Sequence, residues 1–413
     1  YVIGTCPYCK SEEQYSDLCE KCGRVPEEIE NPHCSICGQP PVKEKTSHYF
    51  FKLKNFSEKL SQYLEENQNL QKDVKKYVQN WIKEGLTDWD ITRDISWGIP
   101  VPIDGVNDKV FYGWFDNHLA YISSTIKFLN DNGKDGKKFW NESDIYHFIG
   151  KDIVYHHYLF LPAMRFGIEE EYKLPDYIPT RGHLTLQSKK ISKSRNWYIG
   201  LKDFLQIFPA DYLRFYLVSI NPYSQDDLNF DWNEFATKIN SELIGNLGNL
   251  VNRVLGFTVK SFDGIIPEPE EFDDADKESE KLIKEFVTEI GTLMEQNHLD
   301  RALKKIFQFS AHFNQYFQHK EPWKNNPGTN SCIYLSVNAV RSLAIAIYPF
   351  LPESSQKIWV QLGMHDNISA QGFDEMSNIS IKQGHKLGKI SPLFQKVEES
   401  VIKEQSAKLG DSM

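Results

Sequence analysis

Apolar residues recur at helical spacing from Leu60 to Glu84, where Leu60, Tyr63, Leu64, Leu70, Val74, Val78 and Ile82 stand among charges. The pattern predicts one amphipathic helix that ends at Gly85. Residues 88–102, DWDITRDISWGIPVP, hold prolines and Gly98 and read as a loop. From residue 110 the period changes: a strand over 110–115, a helix to about 130, a strand over 145–149, a helix over 152–166 and an extended run over 177–186. Strand and helix alternating at this spacing imply parallel crossovers, enough for half of a doubly wound sheet. After Phe204 the chain reads as helical throughout, starting near Leu201, and the spacing through 293–317 and 335–347 predicts a bundle. The acidic stretch 267–281, PEPEEFDDADKESEK, reads as a solvated connector between helices, and the polar end from Gln371 as an extended arm with a short final helix.

Length and composition narrow the class. A chain of 413 residues holds two or three domains, each with its own core. Hydrophobic, aromatic and charged contents of 40%, 13% and 25% are those of a soluble globular protein, and no apolar run reads as long enough to span a bilayer. The N-terminal YVIGTCPYCK shows no secretory signal and opens without Met, so the chain reads as cut from something longer. A formal net charge of −10 opposes non-specific nucleic-acid binding but allows a local basic surface.

Such a surface stands at residues 182–197, GHLTLQSKKISKSRNW. Lys189, Lys190, Lys193 and Arg195 alternate there with Ser188, Ser192 and Ser194, without an acidic residue. Mobile ammonium groups and neutral hydroxyl donors in alternation suit a polyphosphate. The segment follows an extended run and precedes a helix, where parallel α/β sheets bind ligands. The alternative is a solvated basic turn.

Six of the seven cysteines form the pairs Cys6/Cys9, Cys19/Cys22 and Cys34/Cys37. Each pair offers two thiolates from one tight turn, and Gly23 and Gly38 follow two of them where a positive φ turns amides back toward sulfur. This is the chemistry of structural Zn²⁺ knuckles. Cys6, Cys9, Cys19 and Cys22 complete one tetrahedral site; Cys34 and Cys37 are half of a second, to be completed by His33, His48 or residues outside the chain, or left empty. Cys332, in an apolar setting, reads as a core residue.

Four stretches in order, the cysteine knuckles, TRDISWGIPVP, YHFIGKDIVYHH and GHLTLQSKKISKS, resemble the methionyl-tRNA synthetases, class I aminoacyl-tRNA synthetases, in their archaeal and eukaryotic form. KISKS (190–194) is similar to the class signature KMSKS, with Ile191 for Met, and YHFIGKD (146–152) narrows the resemblance to the methionine enzymes. Synthetases for isoleucine, valine or leucine would need a long editing insertion, which does not fit between Lys52 and Tyr112. The other class signature, H-x-G-H, does not occur in the chain. The resemblance is therefore to the C-terminal two-thirds of a synthetase, a fragment or a subunit that needs a partner polypeptide carrying the HIGH half and is inactive alone. A tRNA-binding or regulatory chain without catalysis is the alternative.

The resemblance implies an α/β fold plus an all-α part. It implies a zinc-knuckle connective module (1–52), a helical and loop return (53–109), the second half of a Rossmann-like parallel sheet with the KISKS loop (110–200), a connecting segment (201–230), an anticodon-binding helix bundle (231–370) and a C-terminal arm (371–413). It implies ATP contacts at Gly150, Asp152, Lys190, Ser192 and Lys193, with Lys193 and Lys190 as the catalytic cations and Mg²⁺ accompanying ATP as substrate. Read without the resemblance, Asp152 is equally a helix N-cap. The methionine pocket falls on Trp114, Tyr121, Ile153 and His157, although Asp116-Asn117-His118-Leu119-Ala120-Tyr121 departs from the family's D-A-P-I-G-Y and Leu161 stands where a Trp is usual. Asn249 and Arg253, four apart on one helical face, match anticodon readers, and Trp323 an aromatic that stacks on the anticodon's cytosine. Alternatively, Asn249 faces solvent and Trp323 fills the core. The implied partners are tRNA(Met), ATP and methionine, with no membrane, in the cytoplasm.

Overall fold

The computed structural model describes residues 2–16, 19, 26, 28–43 and 45–410. They fall into two compact units, residues 1–54 with 87–120 and residues 55–86 with 121–413.

In the first unit Val2–Thr5 is the central strand of a three-stranded antiparallel sheet, between Gln14–Tyr15 and Glu30–Cys34. Two short antiparallel ladders follow, Phe50–Phe51 with Trp89–Asp90 and Thr92–Arg93 with Val110–Phe111. The expected strand over 110–115 is thus two residues long and antiparallel, not a member of the parallel sheet. Beyond it the chain turns into the helix Gly113–Asp116, because the Phe115 ring packs on an aromatic cluster rather than in a ladder. Its centroid lies 6.1, 6.0 and 5.3 Å from those of Phe51, Trp89 and Phe111. The loop over 94–109 leaves Trp97 86% exposed.

The second unit opens with two helices, Ser57–Glu66 and Lys72–Glu84, where one was expected. Asn67 breaks the run. Its amide donates to the carbonyls of Pro175 and Asp176 (3.2 and 3.1 Å) while its oxygen accepts from the Asn69 amide, a local bond that competes with helix continuation. Gly85, at φ +103°, ends the second helix as expected. Ile149–Gly150 pairs in parallel with Thr180–Arg181, extended by a bridge between Tyr146 and Tyr177, so this crossover is parallel as the pattern implies. A further strand, Leu228–Phe230, lies parallel to Leu184–Leu186 inside a region expected to be helical. Its two apolar side chains alternate between Asp227 and Asp231, and Asp231 then caps the helix Trp232–Lys238 by accepting from the Asn233 and Glu234 amides.

From there the chain is a helical bundle built mainly on Asn249–Phe262, Asp274–Glu295, Leu299–Lys320, Thr329–Ile347 and Pro352–Gln361 around one apolar core. Thr329–Ile347 is long and apolar enough to cross a membrane, contrary to expectation, but it is the almost entirely buried core helix of the bundle and contains buried Cys332. The acidic stretch is a solvated connector only over 267–273, where Glu268, Glu270 and Glu271 are exposed. Asp273 and Asp276 form a reciprocal capping box at the start of Asp274–Glu295, and Asp276 is fully buried. The C-terminal segment is docked rather than free: Met376, Ile381, Leu387, Val397 and Ile402 are buried, and Asn338 and Arg341 of the core helix bond to the backbone of Ile381 and Glu375. It ends in the expected short helix, Glu399–Ala407.

Candidate functional site

The KISKS stretch is a hairpin. Lys189–Lys190 folds back antiparallel on Thr185–Leu186 through Gln187 and Ser188, both at positive φ (+50° and +60°), the signature of a tight hairpin turn built here without Asn or Gly. The neighbouring strand holds it in place: the Gln187 amide donates to the Phe230 carbonyl (2.9 Å) and the Ser188 amide to Asn229 Oδ1 (2.6 Å). Ser192 and Trp197 exchange two backbone hydrogen bonds of 2.8 Å around the turn Lys193–Arg195. Lys189, Lys190, Lys193 and Arg195 are all exposed, as the basic surface read from the sequence requires. Lys189 Nζ lies 4.3 Å from the Trp197 ring, whose Nε1 donates to the Leu186 carbonyl. Ile191 lines an apolar cavity of about 140 Å³ with Ile199, Leu201, Phe204 and Leu217. Ile191 itself is 40% exposed, at the edge of that cavity.

At the C-terminal end of Ile149–Gly150, Asp152 folds back so that its Oδ1 lies 2.5 Å from where a Cβ on Gly150 would stand. A side chain at 150 would have to displace the Asp152 carboxylate. Asp152 does not act as an N-cap; it lies inside the first turn and pairs with His183 Nε2 at 3.3 Å. His183 directly precedes the strand Leu184–Leu186, and Asp227 accepts from the His183 amide (2.8 Å) and from Lys151 Nζ (2.8 Å). His183 and Lys151 were not singled out from the sequence, because their partner Asp227 is more than forty residues away.

Tyr121, Ile153 and His157 come together in the second unit. His157 Nδ1 lies 3.0 Å from the Ile153 carbonyl, which can only accept, so Nδ1 carries the proton. Nε2, 3.3 Å from Tyr121 Oη, is then the acceptor of the phenolic proton. Burial holds His157 below the ordinary histidine range, so the pair is neutral. A third ring completes the group and was missed: His147 lies 4.7 Å from Tyr121 and 5.6 Å from His157. Burial, then repulsion from His157, pushes its pKa down to about 4. The signal was present, since His147 belongs to the YHFIGKD stretch, but its partners are distant in sequence. Trp114 belongs to the first unit, where the His118 Nδ1–H donates to its carbonyl (3.1 Å), so His118, one of the residues that depart from the family pattern, is buried and supports Trp114.

In the bundle Asn249 Nδ2 donates to Asn314 (2.8 Å) and Arg253 to Gln318 (2.9 Å), both acceptors on the helix Leu299–Lys320. Trp323 is 45% exposed and does not fill the core; Arg253 Cζ lies 5.8 Å from its ring. Asn249 is exposed as well, and the three residues share one surface.

In the first unit the sulfurs of Cys6, Cys9 and Cys19 lie within 4.8 Å of one another, Cys9 and Cys19 at 3.6 Å. Tetrahedral thiolates about 2.3 Å from zinc stand about 3.8 Å apart, so the three fit one ion. Hydrogen bonds from Ser11 bring the Cys9 thiol down to about 6, as a metal ligand requires. Cys22, the expected fourth ligand, and Gly23 lie outside the described residues. Gly38, at φ +71°, turns as expected, and the amides of Cys37 and Ile36 hold Cys34 below the usual thiol range. Among the described residues no third ligand joins Cys34 and Cys37. His48 instead bonds Thr92 beside Asp90 and Asp94, and His33 faces Asn31 and Glu13.

The family model described as tRNA synthetases class I (M) matches residues 1–255, and that of the anticodon binding domain of methionyl tRNA ligase matches residues 266–412. The methionine–tRNA ligase of Methanopyrus kandleri is 41% identical over 420 residues, covering 100% of this chain and 61% of the relative. That of Pyrococcus furiosus is 41% identical over 424 residues, 97% of this chain and 58% of the relative. The chain thus spans about three-fifths of the length of these curated relatives. Mycobacterium tuberculosis methionyl-tRNA synthetase bound by methionyl-adenylate superposes with a TM-score of 0.75 at 25% identity, over 88% of this chain and 72% of that one. Because the relatives align along all or nearly all of the chain, neither the C-terminal two-thirds completed by a separate HIGH-bearing polypeptide, nor inactivity alone, nor a non-catalytic tRNA binder is borne out. With both family models matched in order, the chain belongs to the methionyl-tRNA synthetase family of class I tRNA synthetases.

Proposed function

We propose that this chain serves methionine–tRNA ligation in the cytoplasm. Methionine's carboxylate oxygen attacks the α-phosphorus of ATP, pyrophosphate leaves, and the 3′-terminal ribose hydroxyl of tRNA(Met) then takes the methionyl group and releases AMP. No protein nucleophile is needed. The rate comes from positioning and from preorganised charge at the phosphate oxygens. Lys193 is the principal cation and Lys190 the supporting one, with Ser192 as a neutral donor; Gly150 gives the nucleotide a close approach and Asp152 a ribose ligand. Mg²⁺ enters with ATP. The observation that carries the reading is the exposed basic hairpin, whose strand Leu184–Leu186 is reached from Thr180–Arg181 through His183, the residue that pairs with Asp152 just beyond Gly150.

The neutral pair of Tyr121 and His157, with Ile153, offers polarisable rings without charge, which suits a thioether. On the family resemblance alone, Trp114 of the first unit is also assigned to methionine. Asn249, Arg253 and Trp323 read the CAU anticodon, supported by their shared exposed surface. Cys6, Cys9, Cys19 and Cys22 hold a structural Zn²⁺; four thiolates leave no open position for catalysis. Cys34 and Cys37 hold a second ion only with ligands from elsewhere.

Methionine-dependent ATP–pyrophosphate exchange tests the assignment. Lys193→Ala should lower kcat by roughly 10²–10³ while changing KM for ATP less, as for loss of one charge-stabilising group. Exchange that is indifferent to methionine, or unaltered by the substitution, overturns it.

A further inference from the structure

The last two turns of the helix Leu299–Lys320 present two faces with different partners. On one, Tyr316 and Lys320, four residues apart, reach into the start of Asp274–Glu295. Tyr316 Oη donates to Asp276 Oδ1 at 2.6 Å, and Lys320 Nζ lies 2.9 Å from the same oxygen and 2.8 Å from Asp273 Oδ2. Asp276 is 0% and the Lys320 side chain 7% exposed. On the other, Asn314, Phe317 and Gln318 meet the proposed anticodon surface: Asn314 accepts from Asn249, Gln318 from Arg253, and the Phe317 ring lies 6.3 Å from Trp323 and 5.3 Å from Arg253 Cζ.

Immediately after Lys320 the backbone enters the left-handed region at Glu321 (φ +44°), runs through the short turn Pro322–Lys324 that carries Trp323, and is left-handed again at Asn325 (φ +52°). Non-glycine residues persist there only when their surroundings over-determine them. The far end of the loop returns to the same lysine, because a Cβ on Gly328 would stand 2.8 Å from Lys320 Nζ. A buried ion pair commonly adds little stability over apolar packing, and its better-attested use is to fix one geometry. The geometry fixed here is the take-off and return of the loop that bears Trp323.

We propose that Lys320, through Asp276, Asp273 and Tyr316, is a positioning residue that holds Trp323 and Arg253 in register for the anticodon. The proposal rests on the anticodon reading above and deepens it. Two RNA stem-loops with the same stem, one with a CAU loop and one with an altered anticodon, serve as probes, and the readout is the ratio of their dissociation constants.

Wild-type protein prefers the CAU loop, and Trp323→Ala loses at least tenfold of the preference. Lys320→Met loses most of it although Trp323 is present, and Lys320→Arg restores a large part. The double variant Lys320→Met with Trp323→Ala loses no more than Trp323→Ala alone, because both act through one contact; a merely structural lysine gives independent losses. A folded Lys320→Met with the wild-type ratio, or additive losses in the double variant, overturns the proposal. Should Lys320→Met not fold, Tyr316→Phe decides: a loss of about threefold or more supports positioning, and an unchanged ratio overturns it. A wild-type protein without preference overturns the anticodon reading itself.

Discussion

At the scale of single residues, the site is set by which polar atoms have somewhere to go. His157 has its tautomer dictated by the Ile153 carbonyl, and Tyr121 is oriented in turn. His147 stands beside them with a buried Nδ1 that has no hydrogen-bond partner among the described residues, and its pKa is pushed down to about 4 against an ordinary value of about 6.5. Between those values the unfolded chain holds a proton that the folded chain refuses, so stability rises with pH across that window and is lost as pH falls from about 6.5 to 4. Urea midpoints at pH 7 and pH 4.5 should therefore differ more for the wild type than for His147→Asn. Equal pH dependence in the two proteins would remove His147 from the neutral cluster.

At the scale of elements, periodicity identified most helices and misjudged where side chains override it. The amphipathic run from Leu60 is split because Asn67 finds carbonyl partners in a segment more than a hundred residues away. The acidic run became a helix start because Asp276 finds a lysine and a tyrosine inside the bundle. In the core helix Thr329–Ile347, buried Asn338 accepts from the Ile381 amide and donates to the Ile381 carbonyl, 2.9 and 3.0 Å, which fastens the C-terminal segment. Asn338→Leu leaves both backbone groups of Ile381 unpaired in a dry place and should cost about 1–3 kcal/mol. Denaturant titration would check this, and a neutral substitution would show that the segment is held by its apolar contacts alone.

At the scale of the whole molecule, two compact units imply unfolding that need not be a single step. The first unit has a small apolar core and its proposed zinc site, whereas the second holds the large core of the bundle and a smaller cluster of Ile122, Trp140 and Ile145. Removing metal with a chelator should lower the transition of the first unit and leave that of the second in place, and elemental analysis of untreated protein should find about one zinc per chain. A chelator that shifts both transitions equally, or protein without zinc, would count against the structural-metal assignment.

The sequence by itself determined the features that local chemistry dictates. Paired cysteines in tight turns make thiolate sites, interleaved Lys and Ser make a basic surface, and apolar spacing of three and four makes the bundle helices. KISKS, YHFIGKD and the pair Asn249 and Arg253 were legible because each is a short, contiguous pattern. The tertiary structure alone decided what depends on partners far away in the chain. It made 110–111 an antiparallel edge, added the strand Leu228–Phe230 beneath the hairpin, paired Asp152 with His183 and set His147 against Tyr121. It also buried Asp276 beneath Lys320. Local patterns report the preferences of a segment. Burial and pairing of a polar group are properties of the residue that comes to face it, and that residue is known only once the chain has folded.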